Sequence, residues 1–109
     1  MTKAIDILSG VLLDETTHVG VEELRTLCNI PEEVLAEMVA EGLLQPLGTQ
    51  REEWSFSGPQ IHRARIASRL LRDLELNMAG AALACDLLDE IRELRRRVAS
   101  LEHQLGLRR

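Results

Sequence analysis

The sequence predicts a mostly α protein, a winged helix-turn-helix with a small β hairpin and a long C-terminal dimerisation helix. Three observations predict it. Two short apolar runs at helical spacing are separated by a turn around Asn29-Ile30-Pro31. A glycine-containing stretch follows, with Trp54 and Phe56 at strand parity. Beyond residue 77 the apolar side chains return every seven residues.

The elements follow in chain order. In residues 1–18, Ile7 to Leu13 is an apolar run broken by Ser9-Gly10 and followed by Asp14-Glu15-Thr16-Thr17, which reads as an N-terminal arm or strand. Residues 19–76 form the winged helix-turn-helix-like domain. Its first helix places Val21, Leu24, Leu27 and Cys28 on one side. Asn29 then interrupts it and is expected to cap the next helix, with Pro31 in the first turn and Glu32 at the third position. That helix gathers Val34, Leu35, Met38 and Val39, and Gly42 ends it before Leu43-Leu44-Gln45-Pro46.

Gly48-Thr49-Gln50-Arg51 lies between short extended pieces, which predicts a small hairpin or wing within Leu47 to Phe56. Ser57-Gly58-Pro59-Gln60 has the form of a capping box flanked by Phe56 and Ile61, so a third helix starts there. Its apolar side is Ile61, Ala64, Ala67, Leu70, Leu71 and Leu74, and His62, Arg65, Arg69 and Arg72 form a stripe on another face.

Residues 77–109 are the dimerisation helix, with Asn77 as its cap. Taking Ala84, Ile91, Val98 and Leu105 as a positions makes Leu87, Leu94 and Leu101 d positions, and all of them are apolar. The expected dimer interface is therefore Leu87, Ile91, Leu94, Val98, Leu101 and Leu105. In a parallel pair Glu90 would face Arg95, and Arg97 would face Glu102, although orientation is left open. Leu88 widens the stripe beyond a strict two-stranded seam. The competing expectation, that this helix packs back on its own domain, meets the difficulty that a 109-residue chain has little other surface to cover so long a stripe.

Composition narrows the function classes. Trp54 and Phe56 are the only aromatic residues, too few to stack a single nucleic-acid strand. No window approaches the ~20 apolar residues of a membrane span, and Asp6 comes too early for a secretory leader, so the expected location is cytoplasmic. Cys28 and Cys85 lie far apart and read as small buried apolar residues. His18, His62 and His103 are scattered, no nucleophile stands beside a base, and no spacing fits a metal site or a phosphate loop. The chain is expected to be no enzyme and to need no metal or other cofactor.

The charge distribution points to the partner. Residues 1–56 carry three basic side chains against eleven acids, a net of −8, whereas residues 57–109 carry ten against seven, a net of +3. A helix that enters a DNA groove brings basic and amide side chains to a polyanion. Here the second helix brings Glu32, Glu33, Glu37 and Glu41, which makes nucleic acid an unlikely partner and suits a basic protein surface. The arginine stripe has a bland reading, as a row that meets nearby acids and keeps a helix soluble.

The order of these elements resembles the MerR-like architecture. Within it, Val21-Glu22-Glu23-Leu24, Ile30-Pro31-Glu32-Glu33, Gly42-Leu43-Leu44-Gln45-Pro46, Trp54-Ser55-Phe56 and Ala81-Ala82-Leu83-Ala84 through Leu87-Leu88-Asp89-Glu90-Ile91 resemble the chaperone-modulator family, CbpM. The resemblance implies a homodimeric inhibitor that binds the J-domain of a DnaJ-like co-chaperone of the CbpA type, covering the basic helix that J-domains use to engage Hsp70. Glu32, Glu33, Glu37 and Glu41 are the expected partner-binding residues. The alternative is a MerR-like transcription regulator that reads DNA through its wing and Arg65, Arg69 and Arg72.

Overall fold

The computed structural model describes residues 17–106. His18–Gly20 forms β1, Val21–Cys28 α1, Glu32–Ala40 α2, Ser55–Ser57 β2, Gly58–Asp73 α3 and Met78–Gln104 α4, with a 3-10 turn at Arg51–Glu53. Of the arm expected over residues 1–18, residues 1–16 lie outside the described residues, and His18 already belongs to β1.

The helix-turn-helix closes on aliphatic side chains. Leu24 of α1 and Leu35 and Met38 of α2 are fully buried, together with Leu43, Leu44, Phe56 and Ile61. The turn is built differently from the sequence expectation. Asn29 caps the end of α1 in the left-handed region, at φ 56°, and Pro31 takes the N-cap position of α2. Asparagine tolerates that conformation better than most residues, so it serves as a stop signal here. Gly42, at φ +79°, follows α2 as predicted.

The wing is also rearranged. β2 pairs antiparallel with β1, Val19 opposite Phe56, whereas the expected hairpin contributes only the Leu47 to Ser55 bridge. The 3-10 turn at Arg51–Glu53 falls within the interval between those two residues, leaving little length for a second strand. Val19 and Phe56 point inward from facing strands, and Trp54 meets Phe56 edge-on at a centroid distance of 6.3 Å. A half-buried Trp54 thus closes the rim of the core.

Ser57 takes the N-cap position of α3, but the capping box does not form. The Ser57 side chain makes no cap bond, and Gln60 Oε1 instead accepts from the Gln45 backbone N–H at 2.7 Å. Ile61, Ala64 and Ala67 are buried and Leu70 and Leu71 partly so, while Leu74, at the end of the helix, is 63 % exposed. Small residues line the packing of α3 on α4, since Ala64 and Ala67 of α3 and Ala81 and Cys85 of α4 are buried in the same core. Asn77 caps α4, its Oδ1 accepting from the Gly80 N–H at 2.7 Å.

Candidate partner-binding surface

The acidic side of the head is carried by α2. Glu33, Glu37 and Glu41 recur every fourth residue, which aligns them along one side of the helix and its C-cap. All three are exposed, and among the described residues none has a cation within ion-pairing distance.

Glu32 is placed differently. Its carboxylate pairs with Arg51 of the 3-10 turn and with Arg25 of α1 at 3.4 Å, and Glu22 joins both arginines. The hydrogen bond that Arg51 donates to Glu32 raises the pKa of the Arg51 guanidinium above its ordinary value. Arg25 also donates from Nε to the Ile30 carbonyl at 3.1 Å. This cluster staples α1, the turn, α2 and the wing together, and it occupies both cations of the helix-turn-helix and wing.

A second joint links the head to α4. Arg63, on α3, donates from Nε to the Leu43 carbonyl, from Nη1 to Asp89 and from Nη2 to Asp86, each at 2.6 Å. Its side chain is only 12 % exposed. Burial alone would lower its pKa, but the bond to Asp86 and the carboxylates of Asp86 and Asp89 outweigh that and raise it. Sequence periodicity drew attention to His62, Arg65, Arg69 and Arg72 and passed over Arg63. The signal that could have found it is the pair Asp86 and Asp89, one turn apart on the helix that follows.

The arginine stripe is less uniform than its spacing implied. Arg72 donates to Ser68 Oγ at 2.8 Å, and His62 Nε2 lies 2.9 Å from Arg92 of α4. Burial, then Arg92 and Arg65, push the His62 pKa below its ordinary value. Arg65 and Arg69 have no carboxylate within ion-pairing distance among the described residues.

Helix α4 is 27 residues long, about 40 Å at 1.5 Å per residue. Only its first turns, at Ala81 and Cys85, are buried against the head. Leu87, Ile91, Leu94, Val98, Leu101 and Leu105 are 44–72 % exposed, so α4 does not fold its seam back onto its own domain. At about 100° per residue this seam lies roughly opposite the side that packs on α3. Leu83, at 60 %, extends the apolar stripe towards the α3–α4 turn, and Leu88, at 38 %, widens it.

Cys28 and Cys85 are both buried and unpaired. Burial pushes the Cys28 thiol up to about 11 and raises that of Cys85 as well, which leaves both poor nucleophiles. Among the described residues no cluster of His, Cys, Asp or Glu could hold a metal ion, and no helix is long and apolar enough to cross a membrane.

Residues 19–103 match the family described as MerR HTH family regulatory protein. The chain is 37% identical over 102 residues to the chaperone modulatory protein CbpM of Coxiella burnetii (strain Dugway 5J108-111), covering 94% of each chain. It is 38% identical over 87 residues to the protein of the same name from Pseudomonas putida (strain W619), covering 77% of this chain and 86% of that one. No solved structure matches it. A family match from the strand before α1 to the end of α4, with such identity over nearly the whole length, places the chain in the CbpM family of chaperone modulatory proteins, within the MerR-like helix-turn-helix proteins.

Proposed function

We propose that this chain is a chaperone modulator that binds the J-domain of a DnaJ-like co-chaperone and inhibits it, acting as a homodimer joined along α4. The observation that carries this reading is the row of exposed carboxylates Glu33, Glu37 and Glu41 on α2, in a chain whose relatives are named chaperone modulatory proteins. Opposite charge speeds and orients docking on a basic helix, and apolar neighbours then supply contact area. Covering that helix would keep the co-chaperone from its Hsp70 partner. Glu32 contributes indirectly, because its bonds to Arg25 and Arg51 hold the first turn of α2 in place.

The transcription-regulator reading has weaker support. The helix that would enter the groove presents carboxylates, which phosphate repels, and the wing arginine Arg51 is engaged by Glu32. What favours it is Arg65 and Arg69, which keep their charges free of carboxylates among the described residues.

The deciding experiment is calorimetric titration with a J-domain protein from the same cell, beside a gel-shift assay with duplex DNA at physiological salt. Glu33→Lys combined with Glu37→Lys is expected to weaken J-domain binding at least tenfold while the oligomeric state is unchanged. Unaltered affinity would move the interface off α2. A wild-type protein that shifts duplex DNA and ignores J-domains would replace the proposal by the regulator reading.

A further inference from the structure

We propose that Arg63 is the positioning residue of the partner-binding surface, locking the C-terminal end of α2 to the dimerisation helix α4 so that the acidic row is presented at a fixed angle. The inference rests on the reading of α2 given above. Its basis is the geometry of one guanidinium. Arg63 stands on α3 between the two elements it joins, and its three 2.6 Å bonds run to the Leu43 carbonyl on one side and to Asp86 and Asp89 on the other.

Leu43 is a telling attachment point. Its N–H bonds back to the Met38 carbonyl at 2.9 Å, as does that of Leu44 at 3.2 Å, so the Leu43 peptide is part of the cap that ends α2. A cation held there also meets the negative end of the helix dipole. Glu41 is the C-cap residue, two positions before Leu43, and Glu37 lies one turn earlier. Whatever fixes Leu43 therefore fixes the end of the acidic row.

The bond from the Gln45 N–H to Gln60 Oε1 supplies a second tie between the same loop and α3. That contact does not reach α4. Arg63 alone among the described side chains bonds to both the α2 cap and α4. Its planar fork suits the task, because three donors in one plane can serve a carbonyl and two carboxylates at once, whereas a lysine would hold one or two of them loosely. A rigid support lowers the ordering cost of binding, so a loosened joint should show as lost affinity.

The test uses the full chain. Cysteines placed at Ala36 on α2 and Ala99 on α4 carry spin labels, labelled protein is diluted with unlabelled protein, and the intrachain distance distribution is measured for wild type, Arg63→Ala and Arg63→Lys. J-domain affinity is titrated for the same variants without labels. Arg63→Ala is expected to broaden the distribution and weaken binding at least fivefold, with Arg63→Lys in between. Leu24→Val, which trims a fully buried core side chain away from this joint, should leave both readouts near wild type, which separates positioning from general destabilisation. Should Arg63→Ala fail to fold, Asp86→Asn with Asp89→Asn cuts the α4 side of the joint and is expected to broaden the distribution equally. A narrow distribution in these variants, or affinity within twofold of wild type, overturns the proposal. If wild type binds no J-domain, the functional reading fails, while the distance measurement still decides whether Arg63 fixes α2 against α4.

Discussion

At the scale of single residues, the molecule uses its arginines as internal fasteners. Arg25 and Arg51 hold the turn and the wing, Arg63 holds α2 and α4, and Arg92 bridges His62 and Asp89. Most of these pairs are half exposed, so each contributes modestly, and Arg63 is the exception because it is largely buried. His62 gives a pH dependence whose sign is fixed. Its pKa is lowered in the folded chain from the ordinary 6.5, so the unfolded chain takes up the proton first as pH falls. The stability contribution is complete above about 6.5 and is lost as pH drops towards the folded pKa. Thermal melts between pH 7.5 and 5 should show a steeper loss for wild type than for His62→Gln, and identical slopes would refute the assignment. Helical periodicity alone showed neither Arg63 nor this role of His62, because both depend on which residues of α4 lie across from α3.

At the scale of elements, the sequence signals were sound in position and less so in chemistry. Asn29, expected to open α2, closes α1, because its left-handed conformation ends one helix before Pro31 can begin the next. Gln60, expected to cap α3, is drawn to Gln45 because the loop after α2 lies within reach. Ser55–Ser57 finds its partner in His18–Gly20, distant in sequence, so no local turn signal could reveal it. Asn77 is the cap that behaves as its sequence predicts, since the bond it accepts from the Gly80 N–H is local. Asn77→Ala should cost about 1 kcal/mol, read as a lower melting temperature by circular dichroism. An unchanged melting temperature would mean that packing of Met78 and Ala81 alone starts α4.

At the scale of the whole molecule, the longest dimension is 49 Å against 31 and 27 Å, and α4 provides that elongation. The seam on its outer side exposes six large apolar residues, and burying each such side chain fully is worth roughly 1.5–3 kcal/mol. Pairing along it would leave both heads outside, because the seam lies opposite the packing side of α4. Ile91→Glu with Leu94→Glu should convert the proposed dimer to a monomer in light scattering while retaining helical content. Persistence of the dimer would place the pairing surface elsewhere, with the stripe around Leu83 and Leu88 as the next site to test.

By itself the sequence determined what is periodic or local: four helices, the cap at Asn77, the apolar seam of α4 and the glutamate row of α2. Helical spacing and short-range hydrogen bonds fix those features without reference to distant chain. Only the tertiary structure decided that Glu32 is held inside an ion-pair cluster while Glu33, Glu37 and Glu41 have no ion-pair partner among the described residues, that β2 pairs with β1, and that Arg63 reaches both Leu43 and α4. Those outcomes depend on contacts between residues 19 to 39 positions apart in the chain, which no periodicity encodes.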